Sequence, residues 1–149
     1  MSLIDFKERY DSFQKDAVQS IVNDFNKKKN GRYLLVIPTA GGKTFTAVKA
    51  ICQLFDQNVL DLLKDKILWM AHRKELLIQA KETFHEFIEN SHTATSIEKN
   101  IILSMISKAT EELSHNSNIK IVVIDEAHHG AAMSYQPIFN KNSIGILGL

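Results

Sequence analysis

Four consecutive residues in the first third of the chain have the types and spacing to bind phosphate. Gly41, Gly42, Lys43 and Thr44 follow the apolar run "RYLLVI" and precede a stretch with helical apolar spacing. Glycines let a backbone approach phosphate oxygens closely, and amides at the start of a helix point towards such an anion. A lysine in this place reaches the β- and γ-phosphates of a nucleotide, and the adjacent hydroxyl binds Mg²⁺. The stretch therefore predicts a phosphate-binding loop.

The spacing of this loop differs from the common pattern G-x-x-x-x-G-K-[ST]. That pattern places a glycine at position 37, where this chain has Ile37. The alternative is that the two glycines form an ordinary turn between a strand and a helix. Because a buried strand before the loop and an amphipathic helix after it are the context that a phosphate loop needs, we favour the phosphate site.

Two adjacent acids form a second candidate site. Asp125 ends the apolar run "IKIVVID", and Glu126 follows it directly. Asp125 would hold Mg²⁺, and Glu126 would orient and polarise the attacking water. A single aspartate at a strand end is often a turn-former or helix cap, but two adjacent acids downstream of a lysine loop favour chemistry. The adjacent His128 and His129 lack the i, i+4 spacing of helical zinc ligands, so we do not expect zinc.

Apolar runs and helical stripes alternate along the chain. Five runs predict strands: "RYLLVI" and "IKIVVID", which we expect to be buried, "KILWMA", "IILSMI" and the start of "SIGILGL". Amphipathic stretches over residues 13–25, 47–55 and 76–88, and the short "SKATEEL", predict helices, whereas "DQNVLDLLKD" is ambiguous. This alternation predicts an α/β fold with a mostly parallel sheet covered by helices on both faces. Sites in such sheets lie at the carboxyl ends of strands, so the two candidate sites can converge.

Composition limits the classes of function. The 149 residues are enough for one domain, and the net charge of +1 gives no global basic field. A nucleic-acid partner would therefore have to be recognised by local features. The single cysteine, Cys52, excludes an intrachain disulfide and fits a reducing compartment. We expect a cytoplasmic protein without a membrane partner, because the start lacks a signal-peptide core and no apolar run approaches about 18 residues.

Three stretches resemble a known family. "PTAGGKT", "ILWMAHRKELLIQA" and "VVIDEAHH" have the order and spacing of motifs I, Ia and II of superfamily-2 helicases, and the last is a DEAH box. They most resemble the branch that contains restriction-enzyme motor subunits and related DNA helicases. The resemblance covers almost the whole chain. It implies a RecA-like P-loop NTPase domain, ATP and Mg²⁺ as cofactors, and nucleic acid as partner, with DNA preferred and RNA as the alternative.

The resemblance also assigns nucleotide roles to individual residues. Gln14 matches the glutamine that reads adenine. The loop that binds the phosphates corresponds to Thr39, Ala40, Gly41, Gly42, Lys43 and Thr44, in which Thr44 supplies the Mg²⁺ hydroxyl. Asp125 and Glu126 match the metal-binding and water-activating acids, and His128 matches the residue that links nucleotide state to the motor. The family commonly has glycine at position 40, and we expect Ala40 to avoid positive φ because Gly41 and Gly42 can take the unusual angles.

Nucleic-acid contacts are implied for His72 and Arg73, which match motif Ia, and more weakly for Ser104 and Ser107. From the residues alone, Arg73 could equally be an ordinary surface arginine. Trp69, inside a predicted strand, is expected in the core rather than stacked on a base.

The resemblance implies that residues 1–149 are the first of two motor domains, ending before motif III. Thr93, Ala94 and Thr95 resemble motif III but precede the DEAH box, so we interpret them as loop. The second domain would supply an arginine finger, worth about 10³–10⁵ in rate, so the chain alone should hydrolyse ATP poorly. Two alternatives stay open, namely a nucleotide-binding regulatory module without translocation and a degenerate structural domain.

Overall fold

The chain alternates helices and strands as its apolar pattern predicts. The computed structural model describes residues 3–35, 40–90, 97–125 and 143–149. Within these ranges the helices are α1 (Leu3–Lys27), α2 (Ala40–Asp56), α3 (Lys74–Asn90) and α4 (Ile106–His115), with a short 3-10 helix over Glu98–Asn100. The strands are β1 (Arg32–Leu34), β2 (Lys66–Ala71), β3 (Ile101–Met105), β4 (Ile119–Ile124) and β5 (Gly145–Gly148).

The five described strands form one parallel sheet. Their order is β1-β5-β4-β2-β3, and every neighbouring pair runs in the same direction. All five strands therefore end at the same side of the sheet, which we call the carboxyl edge. Ligand sites of open parallel sheets lie at this edge. The predicted mostly parallel α/β fold is confirmed.

Helices cover both faces of the sheet. Buried residues of α1, α2 and α3 pack with Ile67, Trp69 and Val123 on one face, which we call the three-helix face. The helix α4 covers Leu68 and Met70 on the opposite face. This division follows from the alternation of side chains along a strand, which sends successive residues to opposite faces.

The helices are formed by the predicted apolar stripes. In both α1 and α2 the buried apolar residues recur at helical spacing. In α1 they are Val18, Ile21, Val22 and Phe25, and in α2 they include Ala47, Val48, Ile51, Leu54 and Phe55. The ambiguous segment after α2 is a turn, since Asn58 takes a left-handed φ of 59°. Asparagine tolerates that conformation better than most residues. None of the helices in the described ranges is long and apolar enough to span a bilayer.

The strand β1 corrects one prediction. The run "RYLLVI" is typical of a buried strand, yet in the described part Arg32 is exposed and Leu34 is 67% exposed. The reason is strand order. Among the described strands β1 has only β5 beside it, so it lies at the margin of the sheet. Local sequence does not encode that position.

The structure places Trp69, as expected, and also Cys52 in the core. Trp69 is fully buried, which is incompatible with stacking on a nucleic-acid base, and Cys52 is also buried. Burial, with a smaller effect of the nearby Asp56 carboxylate, raises the pKa of the Cys52 thiol to about 12. The thiol therefore stays protonated near neutral pH and is unsuited to be a nucleophile or metal ligand.

Candidate functional site

The strands that lead to the two candidate sites end at the same level of the sheet. Leu34 of β1 and Ile124 of β4 both pair with Gly148 of β5, which lies between them. With strands about 4.8 Å apart, the backbones of Leu34 and Ile124 are about 10 Å from each other. Asp125 directly follows Ile124, and the chain after β1 leads to α2. The sheet thus brings the strand ends that lead to the predicted phosphate loop and acidic box to the same edge, two strands apart.

Backbone hydrogen bonds extend the sheet by one residue beyond these strand ends. The amide nitrogens of Leu35, Leu149 and Asp125 donate to the carbonyls of Gly148, Ile124 and Met70, at 2.8, 3.0 and 2.9 Å. The side chains of this outer row are all buried, at 8%, 2% and 5% exposed.

The outer row lies on the three-helix face. Leu35 and Leu149 belong to the three-helix face, and alternation along β4 directs Asp125 to that face as well, since Val123 two residues earlier lies there. Asp125 is therefore a carboxylate in an otherwise apolar row on the face that α1, α2 and α3 cover. A buried carboxylate is costly unless it accepts hydrogen bonds or binds a cation.

Trp69 donates one hydrogen bond to this carboxylate. Trp69 pairs with Val123 across β2 and β4, so Asp125 is its diagonal neighbour on the same face. Diagonal neighbours lie within reach of aromatic side chains. The indole Nε1 donates to Asp125 Oδ2 at 3.4 Å, inside the buried core. Sequence reasoning placed Trp69 correctly in the core but missed this contact, because it depends on the register between two strands that are far apart in the chain.

The helix α2 begins with the residues of the predicted phosphate loop. It starts at Ala40, and its first turn contains no acidic residue to oppose an anion. The amino end of a helix carries positive potential and free amides, both of which favour phosphate. Lys43 is half-buried, and Thr44 is 4% exposed. This arrangement fits the predicted loop, whose individual contacts stay predictions.

The backbone angles of this loop confirm that Ala40 avoids positive φ, but not for the reason that the sequence suggested. Ala40 lies in α2, and Asn58 is the one non-glycine residue in the described ranges with positive φ. Ala40 is therefore unstrained, as expected. Gly41 and Gly42 do not take unusual angles, however, since both are helical and no described glycine has positive φ. Because α2 begins before the first apolar residue of its stripe, periodicity could not show that these glycines belong to it.

Gln14 lies where it could approach a nucleotide bound at α2. It is 8% exposed and continues the buried stripe of α1 that includes Val18. A short turn makes α1 run opposite to β1, and Phe25 near the end of α1 packs edge-on against Tyr33 at 4.8 Å. From Phe25, the eleven residues back to Gln14 span about 16 Å of helix towards the carboxyl edge. The adenine role of Gln14 stays a prediction.

His72 and Arg73 connect β2 to α3 at the same edge. Since β2 is the next strand to β4, the two residues lie one strand away from Asp125. His72 is half-buried, and Arg73 is exposed beside the start of α3, where the amide of Leu76 donates to its carbonyl at 3.2 Å. An exposed guanidinium next to a helix amino end suits a phosphate backbone.

The weaker candidates on β3 and α4 differ from each other. Ser104 is buried, and its hydroxyl donates to the carbonyl of Met105 at 3.0 Å, so it does not present a hydroxyl to nucleic acid. Ser107 is exposed in the first turn of α4.

Several predicted residues lie outside the described ranges: Thr39, Glu126, His128 and the triplet Thr93 to Thr95. Their roles stay predictions. Across the described residues, no group of three or more histidines, cysteines or acids could hold a metal ion. The hydroxyl of Thr44 and the carboxylate of Asp125 are hard oxygen donors of the type that Mg²⁺ takes one or two at a time, together with waters and phosphates. The donor set therefore fits Mg²⁺.

Comparison with known proteins finds sequence relatives in two yeasts. One is a Saccharomyces cerevisiae protein named "Putative ATP-dependent helicase IRC3", 28% identical over 139 residues that cover 86% of this chain. Another is a Schizosaccharomyces pombe protein named "Putative mitochondrial ATP-dependent helicase irc3", 26% identical over 156 aligned positions that cover 92% of this chain. The chain spans only 20% and 25% of the lengths of these relatives.

A family model matches nearly the full length. The model described as the res subunit of type III restriction enzymes, ResIII, matches residues 7–149. This match includes β1, α2 and β4, the elements that precede or carry the candidate site residues. It confirms the resemblance to restriction-enzyme motor subunits. The chain belongs to the ResIII family.

Proposed function

We propose that this chain is the ATP-binding motor domain of a nucleic-acid helicase or translocase that acts on DNA, for example in a restriction system. The observation that carries the proposal is the shared level of Leu34 and Ile124 on either side of β5, which supports a single site formed by the start of α2 and Asp125. Family membership and the names of the two yeast relatives support it.

The nucleotide would be held by groups of two elements. Lys43 and the amides at the start of α2 would bind the β- and γ-phosphates, and Gln14 would read adenine. Thr44 and Asp125 would hold Mg²⁺, which when bound supplies charge neutralisation at the phosphates. Glu126 would orient the attacking water, and His128 would connect the nucleotide site to the rest of the motor.

Nucleic acid would lie along the carboxyl edge beside β2. Arg73 would contact backbone phosphates from its exposed position, with His72 next to it. A second RecA-like domain would close over the nucleotide and supply the arginine finger that strong hydrolysis needs. An RNA helicase and a nucleotide-binding regulatory module are the alternatives, and both would use the same nucleotide site.

Calorimetry with ADP tests the nucleotide site directly. We expect the 149-residue chain to bind one ADP in the presence of Mg²⁺, more weakly than it would together with the proposed second domain, which would add the other side of the site. Chelation of Mg²⁺ should lower the affinity. The absence of heat at millimolar ADP would contradict the proposal and support a degenerate structural domain.

A second prediction concerns Arg73 and nucleic acid. Replacement by alanine should weaken binding of a single-stranded DNA oligonucleotide about tenfold, since a hydrogen bond to a charged group contributes about 1.5 kcal/mol. The slope of log affinity against log salt should fall by about one, because one phosphate contact is lost. Fluorescence anisotropy over a range of salt concentrations measures both quantities.

The matched control is Arg32→Ala. Arg32 is likewise exposed but lies at the start of β1, on the side of the sheet opposite to the carboxyl edge. Its replacement should leave the salt slope unchanged. Equal losses of DNA affinity and of salt slope in the two variants would mean that Arg73 acts only through the net charge of the protein. Repeating the titration with RNA of the same sequence separates a DNA motor from an RNA motor.

A further inference from the structure

We infer that Trp69 is a positioning residue for the metal-binding carboxylate of Asp125, and that its indole N–H sets how strongly Mg²⁺ enhances nucleotide binding. The inference rests on the proposed function, because it assigns Asp125 to Mg²⁺. Its basis is the buried hydrogen bond from Trp69 Nε1 to Asp125 Oδ2.

The indole is held in place by its surroundings. Trp69 is fully buried within the central part of the sheet, between β4 and β3. Its ring packs edge-on against Phe84 of α3, with centroids 5.6 Å apart, and Phe84 is itself only 4% exposed. Because the neighbouring strands and the ring of Phe84 hold the indole in place, its N–H cannot follow a movement of the carboxylate. The hydrogen bond therefore constrains Asp125 rather than Trp69.

Constraining one oxygen of Asp125 also orients the other. The two carboxylate oxygens are joined rigidly, so a hydrogen bond to Oδ2 limits rotation of the whole group. Donors that orient metal ligands in this way commonly change metal affinity by 10- to 100-fold. The indole N–H has one more property that suits this position. It can donate but not accept, so it stabilises the carboxylate in its charged, metal-binding form.

Trp69→Phe is the direct test, because phenylalanine keeps an aromatic ring in the core but removes the donor. The quantity to measure is the ratio of ADP affinities with and without Mg²⁺, read from displacement of a fluorescent ADP analogue. We expect this ratio to fall about tenfold, with the metal-free affinity unchanged. An unchanged ratio, or a parallel loss of both affinities, would overturn the inference.

Two controls separate positioning from general damage to the core. Phe25→Leu removes another buried aromatic ring, near the opposite edge of the sheet, and should lower stability without changing the Mg²⁺ ratio. In the Asp125→Asn background the Mg²⁺ ratio is already lost, so Trp69→Phe should cause no further loss of ADP affinity, either with or without Mg²⁺. An additional loss in that background would show that Trp69 acts through something other than Asp125.

The unaltered protein provides an independent measurement. Trp69 is the only tryptophan of the chain, so its emission reports on this one position. Adding Mg²⁺ to the ADP-bound protein should change the emission of Trp69, and Asp125→Asn should remove this change. An emission that Mg²⁺ does not change in the unaltered protein would contradict the inference, even if Trp69→Phe fails to fold. If the unaltered protein binds no ADP, the proposed function fails and this inference fails with it. Normal ADP binding with a normal Mg²⁺ ratio in Trp69→Phe rejects the inference alone.

Discussion

Replacing Lys43 by alanine is expected to lower nucleic-acid-stimulated ATP hydrolysis by about 10³-fold in a polypeptide that carries this domain together with a second motor domain. The half-buried ammonium of Lys43 lies in the second turn of α2, where the helix amino end already favours phosphate. Charge develops on the phosphates during transfer, and removing one preorganised group that stabilises such charge costs about 10²–10³ in rate. Loss of a full positive charge places the expected effect at the upper end.

The same substitution should weaken Mg-ADP binding by the isolated chain, without lowering its melting temperature. Lys43 is not part of the buried core, so its loss leaves no cavity. Lys49→Ala is the matched control, since Lys49 is also a half-buried lysine of α2, about 9 Å farther along the helix and on another side. It should retain hydrolysis and binding. Unchanged turnover in Lys43→Ala, or equal losses in both variants, would exclude the phosphate role of Lys43.

The sequence predicts well the parts of this fold that depend on local apolar pattern. The strands β2 and β4 are found where "KILWMA" and "IKIVVID" predict them, because a run buried on both faces has few other solutions. The shared edge of the strands that lead to the two candidate sites also follows from sequence, since the strands of a parallel sheet all end at one edge. The family motifs then identify the chemistry expected there.

The features that sequence reasoning missed depend on long-range arrangement. The position of β1 at the margin of the described strands is set by strand order, which no single run encodes. The contact between Trp69 and Asp125 requires the register Trp69↔Val123, a pairing of residues 54 positions apart. The helical state of Gly41 and Gly42 contradicts their individual preferences, because glycine disfavours helices and gives no apolar signal. Only the assembled sheet and helices reveal these three features.

Asp125→Asn is expected to abolish the Mg²⁺ enhancement of nucleotide binding while leaving the free energy of unfolding unchanged or higher by about 1 kcal/mol. The asparagine oxygen can still accept from Trp69 Nε1, so the buried hydrogen bond is conserved. What is lost is a negative charge inside the apolar row of Leu35 and Leu149, where a carboxylate is costly. Proteins accept such costs at functional sites, and removing them commonly gains stability at the expense of activity. Denaturant unfolding and the ADP affinity ratio measure the two effects.

Asp65→Asn is the control that separates function from burial. Asp65 is 6% exposed, much like Asp125, but it lies just before β2, at the opposite side of the sheet. Its Oδ2 accepts a hydrogen bond from the amide of Asp61 at 2.8 Å, which ties down the preceding turn. Weakening this charge-assisted bond should cost about 1 kcal/mol of stability and leave the Mg²⁺ ratio intact. If Asp125→Asn loses the Mg²⁺ ratio but not stability, and Asp65→Asn loses stability but not the ratio, the carboxylate of Asp125 serves binding. A loss of stability in Asp125→Asn with a normal Mg²⁺ ratio would mean instead that this carboxylate serves the fold.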